Sequence, residues 1–380
     1  MSRAIVIGGG IGGLAAAIAL RHSGVDVVVY ERAAEMEETG AGLSLWANAI
    51  RALDRLGLGH IVASASTEYA VAGLRAWNGE GLATISMDEL RSAFGVPVVI
   101  VHRAELLRAL VASVEPSNLR LGRRCIRIHQ DATTVSAEFE SGERAEGDFL
   151  VGADGLHSVV RAALHGAHPP RYAGCTAWRS VVRVAIDVPA TETWGYGSVF
   201  GQVPMGGGRV YWYATENVPE GERSGADEKR RLLDRFRGWH APIESLIDAA
   251  DEATILRNDI YDRPPLSHWG HGRVTLLGDA AHPMMPFLGQ GGCQALEDAV
   301  VLGRTLRGAP AVAPALRAYE AGRIPRSNMF VRRSRAVGRI AQLENPVAVF
   351  LRNRLVGLAN PRAQARQIAR MIEVPGDAAI

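Results

Sequence analysis

Three carboxylates stand where a chain can present them to a ligand. Glu31 follows the apolar run Val27-Val28-Val29-Tyr30. Asp154 lies in Gly152-Ala153-Asp154-Gly155, and Asp279 in Gly278-Asp279-Ala280-Ala281-His282-Pro283. The apolar runs ahead of them (Phe149-Leu150-Val151 and Val274-Thr275-Leu276-Leu277) read as short buried strands, so each acid sits at a strand tip. Before the first acid comes Gly8-Gly9-Gly10-Ile11-Gly12-Gly13. Acids at strand tips accept hydrogen bonds from sugar hydroxyls. A glycine turn that opens a helix offers free N–H groups, and the positive end of the helix dipole, to phosphates. The chemistry these residues imply is the gripping of one large, phosphorylated, hydroxyl-rich cofactor.

The spacing refines this. Gly8 allows the tight turn, Gly10 lets a pyrophosphate approach the backbone, and Gly13 lets helix and strand pack closely. Glu31 follows Gly13 by 18 residues, near the ~20 expected of an acid on ribose hydroxyls. An acid there repels a 2′-phosphate, which suits FAD or NAD and not NADP. The second and third turns decide for FAD, because a simple NAD enzyme has no use for them. Asp279 can accept ribityl hydroxyls. Gly289-Gln290-Gly291-Gly292 opens a helix whose N–H groups can face the flavin N1–C2=O2 edge, where the dipole stabilises reduced flavin. The plainer alternatives are a helix N-cap for Asp279 and a structural turn acid for Asp154.

These residues need a scaffold. Residues 3–7, a small-residue helix from Leu14 to His22 and a strand from Val25 to Tyr30 form a βαβ unit. Helices are predicted from Ala47 to Leu56 and from Arg103 to Val114, and a hairpin at Glu140-Ser141-Gly142-Glu143. From Tyr172 to about Asp262 aromatic strand segments appear: Thr176–Val182, Ser198–Val203 and Val210–Tyr213, with Pro204 to Gly208 as a turn and a helix from Asp227 to Trp239. After Gly291 the chain reads as helical, divided at Pro346 and Pro361. The predicted fold class is α/β, a Rossmann-like FAD-binding domain with an inserted, mainly antiparallel β-sheet substrate domain and a helical C-terminus. The domains are 1–72 with 99–170 and 265–330 for FAD, 73–98 with 171–264 for substrate, and 331–380 for the C-terminal helices.

Composition narrows the partners. A chain of 380 residues with net charge +2 is no dedicated nucleic-acid binder. Cys125, Cys175 and Cys293 are far apart and odd in number, which argues against a disulfide framework or zinc site and for a reducing cytoplasm. No metal site is expected. No run of about 18 apolar residues occurs, so no segment is expected to span a membrane. The apolar start Ala4-Ile5-Val6-Ile7 stops at glycines and reads as a strand, not a signal peptide.

In its three motifs the sequence resembles the single-component FAD-dependent aromatic hydroxylases, flavoprotein monooxygenases of the para-hydroxybenzoate hydroxylase type. The motifs are the fingerprint with Glu31-Arg32, Gly152-Ala153-Asp154-Gly155-Leu156-His157-Ser158-Val159-Val160-Arg161, and the Asp279 turn followed by Pro286-Phe287-Leu288-Gly289-Gln290-Gly291-Gly292. The likeness runs from Ala4 to about Leu306 and is nearest to the urate hydroxylase-like branch. It implies an FAD-dependent monooxygenase that uses NAD(P)H and molecular oxygen, through a C4a-hydroperoxyflavin, to hydroxylate a small aromatic or heteroaromatic molecule. It further implies that Arg103 lies near the pyrophosphate and ribityl, and that the Cys125 backbone meets the adenine. The loop from Gly40 through Gly42 to Ser44 is placed beside the isoalloxazine, and Asp154 serves both FAD and NAD(P)H. The catalysis implied is flavin-based, so no catalytic side chain is assigned.

Substrate specificity is expected on the aromatic sheet. Tyr211 and Tyr213 share one strand face, and Phe200 and Gln202 share a face of the neighbouring strand. Tyr211 matches a substrate-side tyrosine of the urate hydroxylase-like branch. That branch carries an arginine where this chain has Val199, and an aspartate where it has Phe287. Both changes replace charge by apolar surface and favour a phenol, a quinolone or a similar bicyclic ring over urate. The pocket candidates are Tyr211, Tyr213, Phe200, Gln202, Phe287 and Arg179. For Tyr211 plain core packing, for Phe287 contact with flavin alone, and for Arg179 a solvated strand edge are the competing readings. His282 is expected to hold the motif's backbone in place, not to act as a base. The tail Gln290-Gly291-Gly292-Cys293-Gln294-Ala295-Leu296-Glu297-Asp298 also resembles carotenoid epoxidases, which keeps an epoxidase, reductase or desaturase on an isoprenoid-like substrate as the alternative. The chain is expected to be a monomer or homodimer. Arg352, Arg354, Arg362, Arg366 and Arg370 are expected to be solvated charges on a docked helix, not a membrane contact.

Overall fold

The computed structural model describes residues 2–36, 41–65, 71–223, 225, 227–358 and 360–373. Gly40 of the isoalloxazine loop lies outside the described residues. Strands Arg3–Ile7, Asp26–Tyr30, Leu119–Arg120, Phe149–Gly152 and Val274–Leu276 form a parallel sheet. Val274–Leu276 is at one edge, followed by Phe149–Gly152, Arg3–Ile7, Asp26–Tyr30 and Leu119–Arg120. Its strands are continuous apolar runs because both faces are covered. Helix Ile11–His22 buries Leu14, Ala15, Ala16 and Ala17 completely. Its alanines let helix Gly291–Leu306 approach so closely that a Cβ on Gly303 would lie 2.7 Å from the Ala19 carbonyl oxygen.

A second, seven-stranded sheet runs from Leu256–Asp262 through Arg171–Arg183, Arg209–Asn217, Ser198–Gly206, Ala190–Trp194 and Val71–Ala76 to Gly81–Ser86. Every pairing is antiparallel except Ala190–Trp194 with Val71–Ala76. The expected turn at Pro204 lies later, because the strand continues to Gly206 before reversing. The strands Val71–Ala76 and Gly81–Ser86 and helix Met87–Phe94 were not anticipated. One face of this sheet packs on helices Glu228–Arg235 and Ile243–Asp248 through Trp178, Trp212, Phe200 and Phe236. The other face turns to the FAD-type domain.

Helix Val312–Ala341 is continuous through residue 330, so the C-terminal helices do not start as a separate unit there. Asp262, fully buried, ties this helix to the sheet by accepting from Arg335 and Arg171. Pro346 and Pro361 each open a helix at its first position, after capping Asn345 and Asn360. Proline is tolerated there because its missing N–H has no helical acceptor. Among the described residues no helix is long and apolar enough to cross a membrane.

Candidate active site

The glycine turn has the geometry of a phosphate cradle. Gly8 has φ +109°, and a Cβ there would lie 2.3 Å from the Ala153 carbonyl oxygen. A Cβ on Gly13 would sit 1.9 Å from the Gly8 oxygen. Around Gly10, by contrast, no atom lies within 4 Å of such a Cβ. The turn is therefore tight on its protein side and open at Gly10. Helix Ile11–His22 begins there with no side-chain cap and no acid in its first turn. Helices elsewhere are capped by Ser86, Ser158, Asp227 and Asn345.

The acids gather along the same side of the sheet. Glu31 accepts from the N–H groups of Gly9 at 2.6 Å and Ala33 at 2.9 Å, one per carboxylate oxygen. Each oxygen keeps a lone pair for a ribose hydroxyl. Arg32 beside it is exposed. Arg123 N–H donates to the Glu31 carbonyl at 2.7 Å, which draws the start of strand Cys125–Gln130 to this strand tip. Burial pushes the Cys125 thiol up to about 11, and the nearby Asp154 adds to the shift. Asp154 accepts from Ser158 Oγ and from the N–H groups of Val159 and Val160. It thus anchors the start of helix Val159–His165. Burial raises its carboxyl above the ordinary value, and these donors partly offset that.

Asp279 behaves differently. Surrounding protein raises its pKa by desolvation, opposed by His282 and Arg103, yet the residue as a whole is exposed. A residue on a concave wall has both properties. Arg103 is exposed, and its backbone N–H holds the Ala41 carbonyl at 3.0 Å. The isoalloxazine loop forms strand Gly42–Leu45, paired with Val99–His102. It lies on the start of helix Gly291–Leu306. Cys293 Sγ donates to the Ser44 carbonyl at 3.3 Å, and a Cβ on Gly292 would be 3.3 Å from Leu43. Pro286–Leu288 forms a short turn that ends at Gly289, φ +60°. Helix Gly291–Leu306 then starts at Gln290 without a side-chain cap or a first-turn acid. Gln290 itself is buried and accepts from Asn48 and Gln294. The open space at Gly10, the accessible Asp279 and two long helices with free first-turn N–H groups fit the diphosphate, ribityl chain and pyrimidine edge of FAD.

His282 is buried away from this space. Its Nε2 lies 2.6 Å from Asp298, which also accepts from Gly278 N–H at 3.0 Å and Arg323 Nε at 2.6 Å. Opposed to burial, the His282 and Arg323 charges hold the Asp298 carboxyl below its ordinary value. The histidine therefore fixes the Asp279 turn to the long helix.

The sheet forms the roof. Tyr211 lies directly on Gly42, where a Cβ would be 2.4 Å from its ring. Burial raises its phenol pKa, and the adjacent Arg179 guanidinium, which hydrogen-bonds it, opposes this. Arg179 also donates to Asn258 at 3.2 Å. Tyr213 shares the face, 5.8 Å from the Tyr211 ring. Phe287 and Val199 meet Tyr213, Trp194, Leu74 and Val356 in one apolar cluster. Phe200 and Gln202 do not join them, which corrects their assignment to the pocket. Phe200 stacks on Trp212 and meets Phe236 on the opposite face, and Gln202 donates to the Pro189 carbonyl.

One residue here escaped the sequence reading. Glu192 accepts from the Tyr213 hydroxyl and from Trp194 Nε1 at 2.6 Å. Desolvation raises its carboxyl pKa, and these two donors oppose that. Tyr213 reaches it across the intervening strand because residue 201 is glycine; a Cβ there would be 2.0 Å from the tyrosine ring. The only signal in the sequence was a lone acid in a short strand.

Comparison with known proteins agrees with this geometry. The model of the FAD binding domain family matches residues 1–334. The aurachin C monooxygenase/isomerase of Stigmatella aurantiaca is 41% identical over 366 residues, 95% of this chain and 96% of that protein. An FAD-dependent urate hydroxylase of Klebsiella pneumoniae is 38% identical over 340 residues, 88% of each chain. The crystal structure of Klebsiella pneumoniae HpxO complexed with FAD and uric acid superposes with a TM-score of 0.92 at 34% identity, covering 98% of this chain and 96% of that one.

Proposed function

Because the chain belongs to the FAD-binding flavin monooxygenases and hydroxylases, we propose that it uses NAD(P)H and O2 to hydroxylate an apolar phenol, quinolone or similar bicyclic ring. What supports the substrate class most is the single cluster that holds Val199, Phe287 and Tyr213. A site built for a purine carrying several polar edges would leave those edges unpaired against this wall, at about 1–3 kcal/mol for each buried group.

FAD, when bound, supplies electron uptake from NAD(P)H and the activation of oxygen. The chain's own residues bind, orient and exclude water. Gly10 and the helix start beside it face the diphosphate. Asp279 and Arg103 face the ribityl segment. The free N–H groups of the first turn at Gly291 favour negative charge on the flavin's pyrimidine rim. The aromatic roof keeps water from the reacting ring. The Tyr211 phenol, held by Arg179, is the polar handle that orients a substrate oxygen or ring nitrogen.

The test is to supply FAD-loaded protein with NADH or NADPH and a panel of phenols, 4-quinolones and urate. Substrate-dependent NAD(P)H oxidation would be followed together with incorporation of label from 18O2 by mass spectrometry. One labelled oxygen in a phenol or quinolone, with urate inert, is expected. Oxidation of NAD(P)H with no labelled product from any ring would overturn the reading. A product changed by two hydrogens and no oxygen would replace it with a reductase or desaturase.

A further inference from the structure

Helix Pro346–Gly357 and the residue after it turn an apolar stripe outward. Val347, Phe350, Leu351, Leu355 and Leu358 are 67%, 58%, 53%, 69% and 82% exposed. Their spacing of three, one, four and three residues keeps them on one arc. The opposite side of the helix is committed to the protein. Val349 and Arg352 are buried, and Arg352 donates to the Ala341 carbonyl at 3.0 Å and the Gly195 carbonyl at 3.2 Å. Its guanidinium lies 5.2 Å over the Trp194 ring, and Val356 packs in the cluster with Phe287. The inner face thus fixes the helix, and the outer arc is a standing surface. Five large apolar side chains on one exposed face are more than the scattered singles of an ordinary surface.

Arginine outweighs acid in the chain segment that carries the arc. From residue 332 to residue 373 the chain carries nine arginines against two acids, Glu344 and Glu373. Arg335 and Arg352 are used internally. Arg339, Arg366 and Arg370 are exposed, and Arg362 faces Glu89 only at 3.6 Å with 82% of its side chain in solvent. Arg354 lies within the arc itself, with its guanidinium 5.5 Å over the Phe350 ring.

We propose that this arc docks on the surface of an anionic lipid bilayer. The leucines and Phe350 enter the acyl boundary, and Arg354 and the flanking arginines meet lipid phosphates. A second copy of the chain fits worse. Pairing the same patch about a twofold axis sets Arg354 and its arginine-rich flanks against their own copies, and like charges in a closing interface are repulsive. The proposal departs from the expectation from sequence that the C-terminal arginines only solvate a docked helix. The docking stands without the proposed reaction. If that reaction is also right, a ring compound dissolved in the bilayer would lie about one helix diameter, ~10 Å, from the Val199–Phe287 cluster.

The experiment is sedimentation of the FAD-loaded protein with phosphatidylcholine vesicles, with and without phosphatidylglycerol, at low and high salt. The protein should sediment with the phosphatidylglycerol vesicles only, and salt should release it. The double variant Leu355→Glu, Leu358→Glu should lose about tenfold or more in vesicle affinity. Both side chains are exposed, so its flavin spectrum should be unchanged, which reports an intact fold. Wild-type protein left in the supernatant overturns the proposal. So does equal sedimentation of the double variant, or equal binding to neutral vesicles. A dimer seen by light scattering and split by the double variant would assign the arc to a second copy and overturn it too. Failure of the proposed reaction is a separate outcome: vesicles still bind, and no ring acquires label.

Discussion

Gly10 and Gly13 stand three residues apart and should fail differently when each gains a methyl group. Gly13→Ala drives a carbon to 1.9 Å from the Gly8 oxygen, so the backbone must move, at about 1–3 kcal/mol or more. Thermal unfolding of the apoprotein should show that loss. Gly10→Ala meets no protein atom within 4 Å. Its apoprotein should unfold at the wild-type temperature while FAD affinity, read by flavin fluorescence, falls about tenfold or more. Full affinity in Gly10→Ala would place the diphosphate elsewhere. Glu192 makes a second prediction. Its folded pKa is raised by desolvation, so the folded state holds the proton more tightly than the unfolded chain. Stability from this group is therefore full below the ordinary glutamate pKa of about 4.3 and declines as pH rises from there to the raised folded value. Glu192→Gln should flatten that segment of the Tm-against-pH curve. The glycines and strand-tip acids were legible because the cofactor's shape dictates their local spacing. Glu192 was not, because its meaning comes from a tyrosine on a non-adjacent strand and from the missing side chain at Gly201.

At the scale of elements, the aromatic strands could be read, but not the direction in which they face. Period-two alternation sorts Tyr211 and Tyr213 from Trp212, and Phe200 and Gln202 from Val199, without saying which set meets the FAD-type domain. Both faces of this sheet are covered, so no polar side gives the answer away. The outcome separates two residues that looked alike in sequence. Phe200→Leu should lower stability by about 1 kcal/mol or somewhat more through loss of packing on Trp212 and Phe236, with KM for the ring substrate unchanged. Phe287→Ala should raise that KM about tenfold with the FAD spectrum intact. Steady-state kinetics beside chemical denaturation would check the pair. Strands Val71–Ala76 and Gly81–Ser86 escaped notice because their segments, Val-Ala-Gly-Leu-Arg-Ala and Gly-Leu-Ala-Thr-Ile-Ser, mix weak strand formers with glycine. They pair with each other as a hairpin, and Val71–Ala76 is joined to the rest of the sheet by a distant neighbour, Ala190–Trp194.

At the scale of the molecule, the order of the parallel sheet has a consequence for biosynthesis. The first two strands and their glycine turn leave the ribosome early. The edge strand Val274–Leu276, Asp279 and the helix that backs onto Ile11–His22 arrive only after every strand of the seven-stranded sheet has been made. Until then the nascent chain has one half of a clasp, and coenzyme capture must wait for the other. Ribosome-stalled chains ending before Gly278 should retain no flavin, and chains whose emerged portion passes Leu306 should acquire yellow fluorescence on the ribosome. Translation rate across the intervening sheet would then set how long an incomplete clasp stays exposed.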